Sequence, residues 1–219
     1  MSTAEPTTGL YLCPEVAGTL MSPEEFDAVK DCDELWKYEL VHGVLVATPP
    51  PSVGERGPNE ELGFLLGTYQ QSHPQGSALD LTLPESYVRT PDSRRRADRS
   101  IWTGLGRLPD ERRDVPSITV EFVSEGRRDR ERDYVVKRAE YLATGIREYW
   151  IIDRFAGQMT VIRRGASEGE DQPEIVITAD GSYSTPLLPG FELPLRQLLD
   201  VARGLEQARD LSDEERSEA

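Results

Sequence analysis

The spacing of hydrophobic and polar positions changes several times along the chain, and each change marks an element. Ser22-Pro23-Glu24-Glu25 offers a capping serine, a first-turn proline and acids at the positive helix end, predicting a helix of about two turns with Phe26 and Val29 buried. Residues 36–48 (WKYELVHGVLVAT) alternate on both sides of His42-Gly43, the pattern of a β-hairpin. Residues 49–58 are rich in proline and glycine and read as a loop, and 59–69 as a helix with Leu62, Leu65 and Leu66 toward the core. Residues 76–89 are strand-like, with Pro84 at an edge or bend, and 97–102 form a short extended piece before a long polar loop.

The second half is more informative. Residues 118–123 alternate so that Thr119, Glu121 and Val123 share one face and Ile118, Val120 and Phe122 the other. In residues 129–144, Asp133, Lys137 and Tyr141 recur at i, i+4 and i+8 and fall on one helical stripe, while Val135, Val136, Ala139, Leu142 and Ala143 supply apolar surface. Gly145 is a helix stop. Residues 148–153 then return as a strand whose run of large apolar side chains suits the middle of a sheet. Strand, helix, strand implies a crossover and a parallel pair in the sheet. Residues 159–163 and 174–178 add antiparallel strands, 183–194 form an irregular cover, and a short helix runs from 195 to about 202.

At 219 residues a single domain is the expectation, with residues 1–18 loosely ordered, 19–203 folded and 204–219 an acidic charged tail. With 37 % hydrophobic and 30 % charged residues the composition is that of a soluble globular chain, and no apolar run approaches the ~20 residues of a membrane span. The N-terminus lacks a secretory signal pattern, so a cytoplasmic location is expected. Cys13 and Cys32 have no metal-site spacing and are read as reduced and structural.

A formal charge of −15 argues at first against nucleic acid as a partner. The charges are unevenly spread, however. Residues 89–113 hold eight arginines against four acids, 127–138 hold six basic groups against three acids, and the tail 205–219 has six acids and two arginines. The basic stretches are either a polarised binding surface or ordinary solvated faces.

Asp98, Glu121 and Lys137 are the residues whose chemistry would make a site if the fold unites them. Hydrolysis of a phosphodiester needs a metal ion to polarise the phosphoryl oxygen and activate water, and Mg²⁺ is held by one or two carboxylates. A lysine can orient the nucleophile or stabilise developing charge. On the residues alone, Asp98 reads equally as a strand-end carboxylate paired to one of Arg94, Arg95 and Arg96. Glu39 reads as an exposed strand residue, and Asp133 with Lys137 as a surface ion pair.

The chain order of several motifs adds to this. Residues 38–46 (YELVHGVLV), Ala97-Asp98, residues 120–124 (VEFVS), Asp133-x3-Lys137-x3-Tyr141, residues 145–153 (GIREYWIID) and Leu188-Pro189-Gly190-Phe191 together resemble the Uma-type family of putative restriction endonucleases, a branch of the PD-(D/E)xK nuclease superfamily. The likeness spans about residues 19–200. It implies an α/β restriction-endonuclease-like core, a mixed sheet flanked by helices with additional antiparallel hairpins. By the same resemblance Asp98 and Glu121 would bind Mg²⁺ or Mn²⁺, and Glu39 would complete the catalytic set. The superfamily's usual lysine position is Val123 here, so the amine would come from Lys137 on the following helix, with Asp133 and Tyr141 behind it. Arg94, Arg95, Arg96, Arg127 and Arg128 would steer phosphate, DNA would be the substrate, and a homodimer would cut both strands. Two positions depart from the family pattern: Ala97-Asp98-Arg99 stands for Pro-Asp followed by apolar residues, and Asn59 or Glu60 stands where many members have histidine. A non-catalytic nucleic-acid-binding or regulatory protein retaining the fold is the alternative.

Overall fold

The computed structural model describes residues 10–126, 130–165 and 174–218, with side chains to residue 211 in the last stretch. The chain divides into two compact units, Met1–Pro50 with Arg89–Arg96, and Pro51–Val88 with Ala97–Ala219.

In the first unit, β1 (Tyr11–Leu12) pairs in parallel with β2 (Asp31–Cys32), and a 3-10 turn covers Pro14–Val16. Residues 10–18, expected to be loosely ordered, are thus tied down by a partner strand some distance along the chain, which no local period signals. Helix α1 (Pro23–Ala28) begins as expected. The Glu25 N–H donates to Ser22 Oγ (3.1 Å) and the Ser22 N–H to Glu25 Oε2 (2.7 Å), a reciprocal capping box. Strands β3 (Lys37–Val41) and β4 (Val44–Thr48) form the expected hairpin, with His42 (φ 49°) and Gly43 (φ 76°) both left-handed at the turn. Cys13 and Cys32 carry free thiols.

The second unit holds the larger sheet. Helix α2 (Val53–Ser72) starts well before the expected residue 59, because the Glu55 carboxylate accepts the Ser52 N–H (2.7 Å) at its start inside the proline-rich stretch and Pro58 is accommodated within the helix. Next come β5 (Leu79–Arg89), β6 (Arg94–Thr103) and β7 (Ile118–Phe122); Arg89 and Arg94–Arg96 count with the first unit. A π-helical turn (Arg132–Val136) leads into α3 (Lys137–Thr144), which Gly145 (φ 104°) ends. Strands β8 (Glu148–Asp153), β9 (Gln158–Arg163) and β10 (Ile175–Thr178) complete a run ordered β10-β9-β8-β7-β6, with β5 also on β6. The β7–β8 pair is parallel and the α3 connection is its crossover, as expected, while β6–β7, β8–β9 and β9–β10 are antiparallel.

Alternation along β7 and β8 divides the core in two. Ile118, Val120, Phe122, Trp150 and Ile152 pack with Leu62 and Leu66 of α2 on one face, and Val123, Tyr149 and Ile151 pack with Tyr141 of α3 on the other. A small β11 (Ser182–Tyr183) and β12 (Leu193–Pro194) pair frames the cover segment, which buries Leu188 and Phe191. Helix α4 (Leu195–Glu218) is three times the length expected; its charged second half stays helical because Leu, Glu, Gln, Ala and Arg are good helix formers. Among the described residues no helix is long and apolar enough to cross a membrane.

Candidate active site

On β7 the strand period turns Glu121 to the same face as Val123, under α3. A glutamate there is 2 % exposed and needs a partner. The helix supplies it by inverting its expected amphipathicity. Asp133, Lys137 and Tyr141 are 1 %, 3 % and 0 % exposed, whereas Val135 and Val136, expected to supply buried apolar surface, are 60 % and 39 % exposed. The hydrophobic pattern alone favours the opposite face. Ionisable groups win because they satisfy one another: Lys137 Nζ lies 2.8 Å from Glu121 Oε2 and 3.5 Å from Asp133 Oδ1, and the Tyr141 hydroxyl donates to Glu121 Oε1 at 2.8 Å. Asp133 and Lys137 are therefore not the surface ion pair that their spacing also allowed.

Asp98 joins from β6. The β6–β7 register runs Ile101↔Ile118, Ser100↔Thr119 and Arg99↔Val120, so Asp98 and Glu121 are the next cross-strand neighbours. At that point the Asp98 carboxylate accepts the Phe122 N–H at 2.7 Å. Burial pushes the Glu121 pKa up; the Lys137 charge opposes this, and the Asp98 and Asp133 charges reinforce it. Asp98, Glu121, Lys137, Asp133 and Tyr141 thus form one cluster.

The remaining candidates sit elsewhere. Glu39, in the first unit, is buried, not exposed. Its Oε1 accepts the Arg96 N–H at 2.7 Å and its Oε2 lies 4.0 Å from Arg95 Nη1. The expectation that Arg94 and Arg95 steer phosphate is corrected. The Arg94 guanidinium is buried against both Asp27 oxygens and the Thr90 and Ser93 carbonyls, and Arg95 is 2 % exposed, so neither presents its charge to a polyanion. Arg96 is half-buried. Arg127 and Arg128 lie outside the described residues.

Two further features escaped the sequence reading. Arg99 and Asn59, the two departures from the family pattern, are partners. Arg99 Nε donates to Asn59 Oδ1 (2.7 Å), Arg99 Nη2 to the Asn59 carbonyl (2.8 Å), and Asn59 Nδ2 to the Asp98 carbonyl (2.8 Å). These bonds tie α2 to the strand that carries Asp98. Tyr149 is the second: its hydroxyl donates to the Asp133 carbonyl at 2.9 Å. The only available signal was a tyrosine in a strand otherwise built for burial, whose hydroxyl requires a partner.

Among the described residues no three His, Cys, Asp or Glu side chains group into a closed metal cage. The donor chemistry of Asp98 and Glu121 nevertheless fits a hard cation, because Mg²⁺ needs only one or two carboxylates and fills its shell with water and phosphate oxygens. The raised Glu121 pKa fits too, since a nearby cation relieves a carboxylate pressed toward its neutral form.

The chain matches a family model and solved structures. A family model described as "Uma2: Putative restriction endonuclease" matches residues 23–196. The crystal structure of a putative nuclease belonging to DUF820 from Anabaena variabilis superposes with a TM-score of 0.65 at 18 % identity, covering 83 % of this chain and 99 % of that one, a likeness of fold. No curated protein matches.

Proposed function

Because the chain belongs to the Uma2 family of putative restriction endonucleases, we propose that it hydrolyses DNA phosphodiester bonds with a divalent metal ion, Mg²⁺ or Mn²⁺. The observation that carries this reading is the buried Lys137–Glu121 pair at 2.8 Å with Asp98 as the cross-strand neighbour of Glu121. In this proposal Asp98 and Glu121 hold the ion. The bound ion would polarise the scissile phosphoryl group and lower the pKa of water. Lys137, paired with the Glu121 and Asp133 side chains, acts as a donor: it orients the attacking water and offsets charge on the phosphoryl oxygens as the new P–O bond forms and the old one breaks. Asp133 and Tyr141 fix the amine and the Glu121 carboxylate in place. Cutting a duplex requires two such sites, which a homodimer would provide.

The net charge of −15 and the internal pairing of Arg94 and Arg95 favour a second reading, a protein that keeps the nuclease core for binding or regulation without turnover. Calorimetric titration of Mn²⁺ and Mg²⁺ into wild type and an Asp98→Ala, Glu121→Ala double variant, with plasmid nicking on the same samples, separates the two. Metal binding and nicking that both vanish in the variant support the nuclease. Wild-type protein that neither binds metal nor nicks would rule it out.

A further inference from the structure

The cluster is closed and acidic. Glu121, Asp133, Lys137 and Tyr141 are all buried, and the carboxylates of Asp98, Glu121 and Asp133 stand there against one lysine. A DNA backbone approaching it, on a chain of charge −15, needs cations at the rim. The topology sets where that rim is. Strands β7 and β8 are parallel and in register from Ile118↔Glu148 to Phe122↔Ile152, so Asp153 ends β8 beside the end of β7, just past Glu121. The crossover leaves from that same end, and its described helical part opens with Arg130 and Arg132. In open α/β sheets, ligands bind at the carboxyl ends of the strands.

Both arginines lie over buried acids. Arg130 Nη2 pairs with Asp153 Oδ2, and its Nη1 lies 3.4 Å from Asp153 Oδ1. Arg132 Nε lies 3.4 Å from Asp133 Oδ1, the oxygen that also faces Lys137 Nζ. Asp153 and Asp133 are buried, whereas the two arginine side chains are 37 % and 30 % exposed. In the Arg138–Glu174 and Arg154–Glu206 pairs the order is reversed, and the acid is the more exposed partner. The first two pairs turn positive charge outward; the other two turn negative charge outward. The geometry points to Arg130 and Arg132 as contacts for DNA backbone phosphates at the rim of the cluster. Two residues apart at the start of a helix, they do not share a face, so each takes its own phosphate. A buried carboxylate holds each guanidinium in place before binding, which lowers the side-chain entropy lost on the DNA. This assignment rests on the nuclease reading for its ligand and needs no turnover.

Arg130→Gln and Arg132→Gln leave each acid with other donors. Asp153 keeps the Tyr134 hydroxyl and the Phe155 and Ala156 N–H groups, and Asp133 keeps Lys137, so both variants should fold, as a thermal melt would check. Fluorescence anisotropy of a labelled duplex of mixed sequence, titrated over a range of NaCl without divalent metal, reads counterion release with nothing cut. The slope of log K against log salt should flatten by ~0.9 in each glutamine variant, the share of one phosphate contact. Arg130→Lys and Arg132→Lys keep the charge and should keep the wild-type slope. Arg163→Gln is the control: Arg163 also lies over a buried acid, Glu148, but at the opposite end of β8, and its loss should leave the slope unchanged. Unchanged slopes in the glutamine variants, an equal flattening in Arg163→Gln, or a wild type that does not bind the duplex would overturn the assignment. If wild type nicks plasmid in Mg²⁺ while the slopes stay unchanged, the assignment falls and the nuclease reading stands. If the slopes flatten as expected and wild type does not nick, the nuclease reading falls and the phosphate contacts stand.

Discussion

Replacing Lys137 by methionine keeps the length of the side chain and removes its charge from the centre of the cluster. The Glu121 carboxylate, 2 % exposed, would keep the Tyr141 hydroxyl and lose the ammonium 2.8 Å away, while Asp133 would keep Arg132 Nε at 3.4 Å. Breaking one side of a buried pair destabilises by ~3–5 kcal/mol, because the charge left behind is uncompensated. Glu121 has an escape, since burial already raises its pKa and Lys137 is the largest influence holding it down. In the variant it rises further and the carboxyl takes a proton. A carboxyl whose folded pKa exceeds its unfolded value of ~4.3 contributes stability below that value and loses it as pH rises through the folded one, by up to ~1.4 kcal/mol per pH unit. In wild type the loss ends at the wild-type folded value; in the variant it continues to a higher one. The stability gap should therefore stay level up to the wild-type folded value, about 8, and widen as pH rises above it. Urea unfolding followed by the fluorescence of the buried Trp102 and Trp150 measures it. A Glu121→Gln, Lys137→Met double variant should recover much of the loss, because neutral glutamine can still meet the Tyr141 hydroxyl. A gap that stays flat or narrows above pH 8, or a double variant no more stable than Lys137→Met, would refute the reasoning.

Three other outcomes are expected. Arg99→Lys cannot reproduce the guanidinium bonds to both Asn59 acceptors and to Thr82 Oγ1 (3.1 Å), and should lower stability by ~1–3 kcal/mol in urea unfolding. Gly76→Ala would set its Cβ 2.4 Å from the Tyr69 and Gln70 carbonyl oxygens, main-chain atoms that cannot rotate aside, so a loss of at least ~2 kcal/mol should appear as a lower Tm. Asp27 has its pKa lowered overall; burial acts against this, but the hydrogen bonds and charges of Arg94 and Arg89 outweigh it. Its contribution is present above the unfolded value of ~3.9 and lost as pH falls through the depressed folded value, so the deficit of Asp27→Asn in urea should be full at neutral pH and shrink in acid.

Much of the fold was legible because period and punctuation act locally. The hairpin at His42-Gly43, the α1 cap, the two faces of β7 and the β7-α3-β8 crossover all follow from residues that are near one another in sequence. Two helix lengths were misread for local reasons as well. Proline hid the start of α2, where the Glu55 carboxylate on the Ser52 N–H outweighs composition, and charge disguised the end of α4, where helix propensity needs no apolar stripe.

For the site, the sequence by itself determined the face of Glu121 and the shared stripe of Asp133, Lys137 and Tyr141, because both are consequences of a fixed backbone repeat. It could not decide which stripe of that helix turns inward. Valines and alanines stood against an acid, a lysine and a tyrosine, and the outcome depended on Glu121 waiting on a strand that precedes the helix. It could not show that Arg94 and Arg95 spend their charge internally, since Asp27 and Glu39 lie more than fifty residues away. The cross-strand approach of Asp98 to Glu121, the Tyr149 bond to Asp133 and the Arg99–Asn59 lock were likewise decided only in the tertiary structure. A buried polar group is stabilised by its partner, and partners are set by which strands and helices meet, a property that no stretch of the chain carries alone.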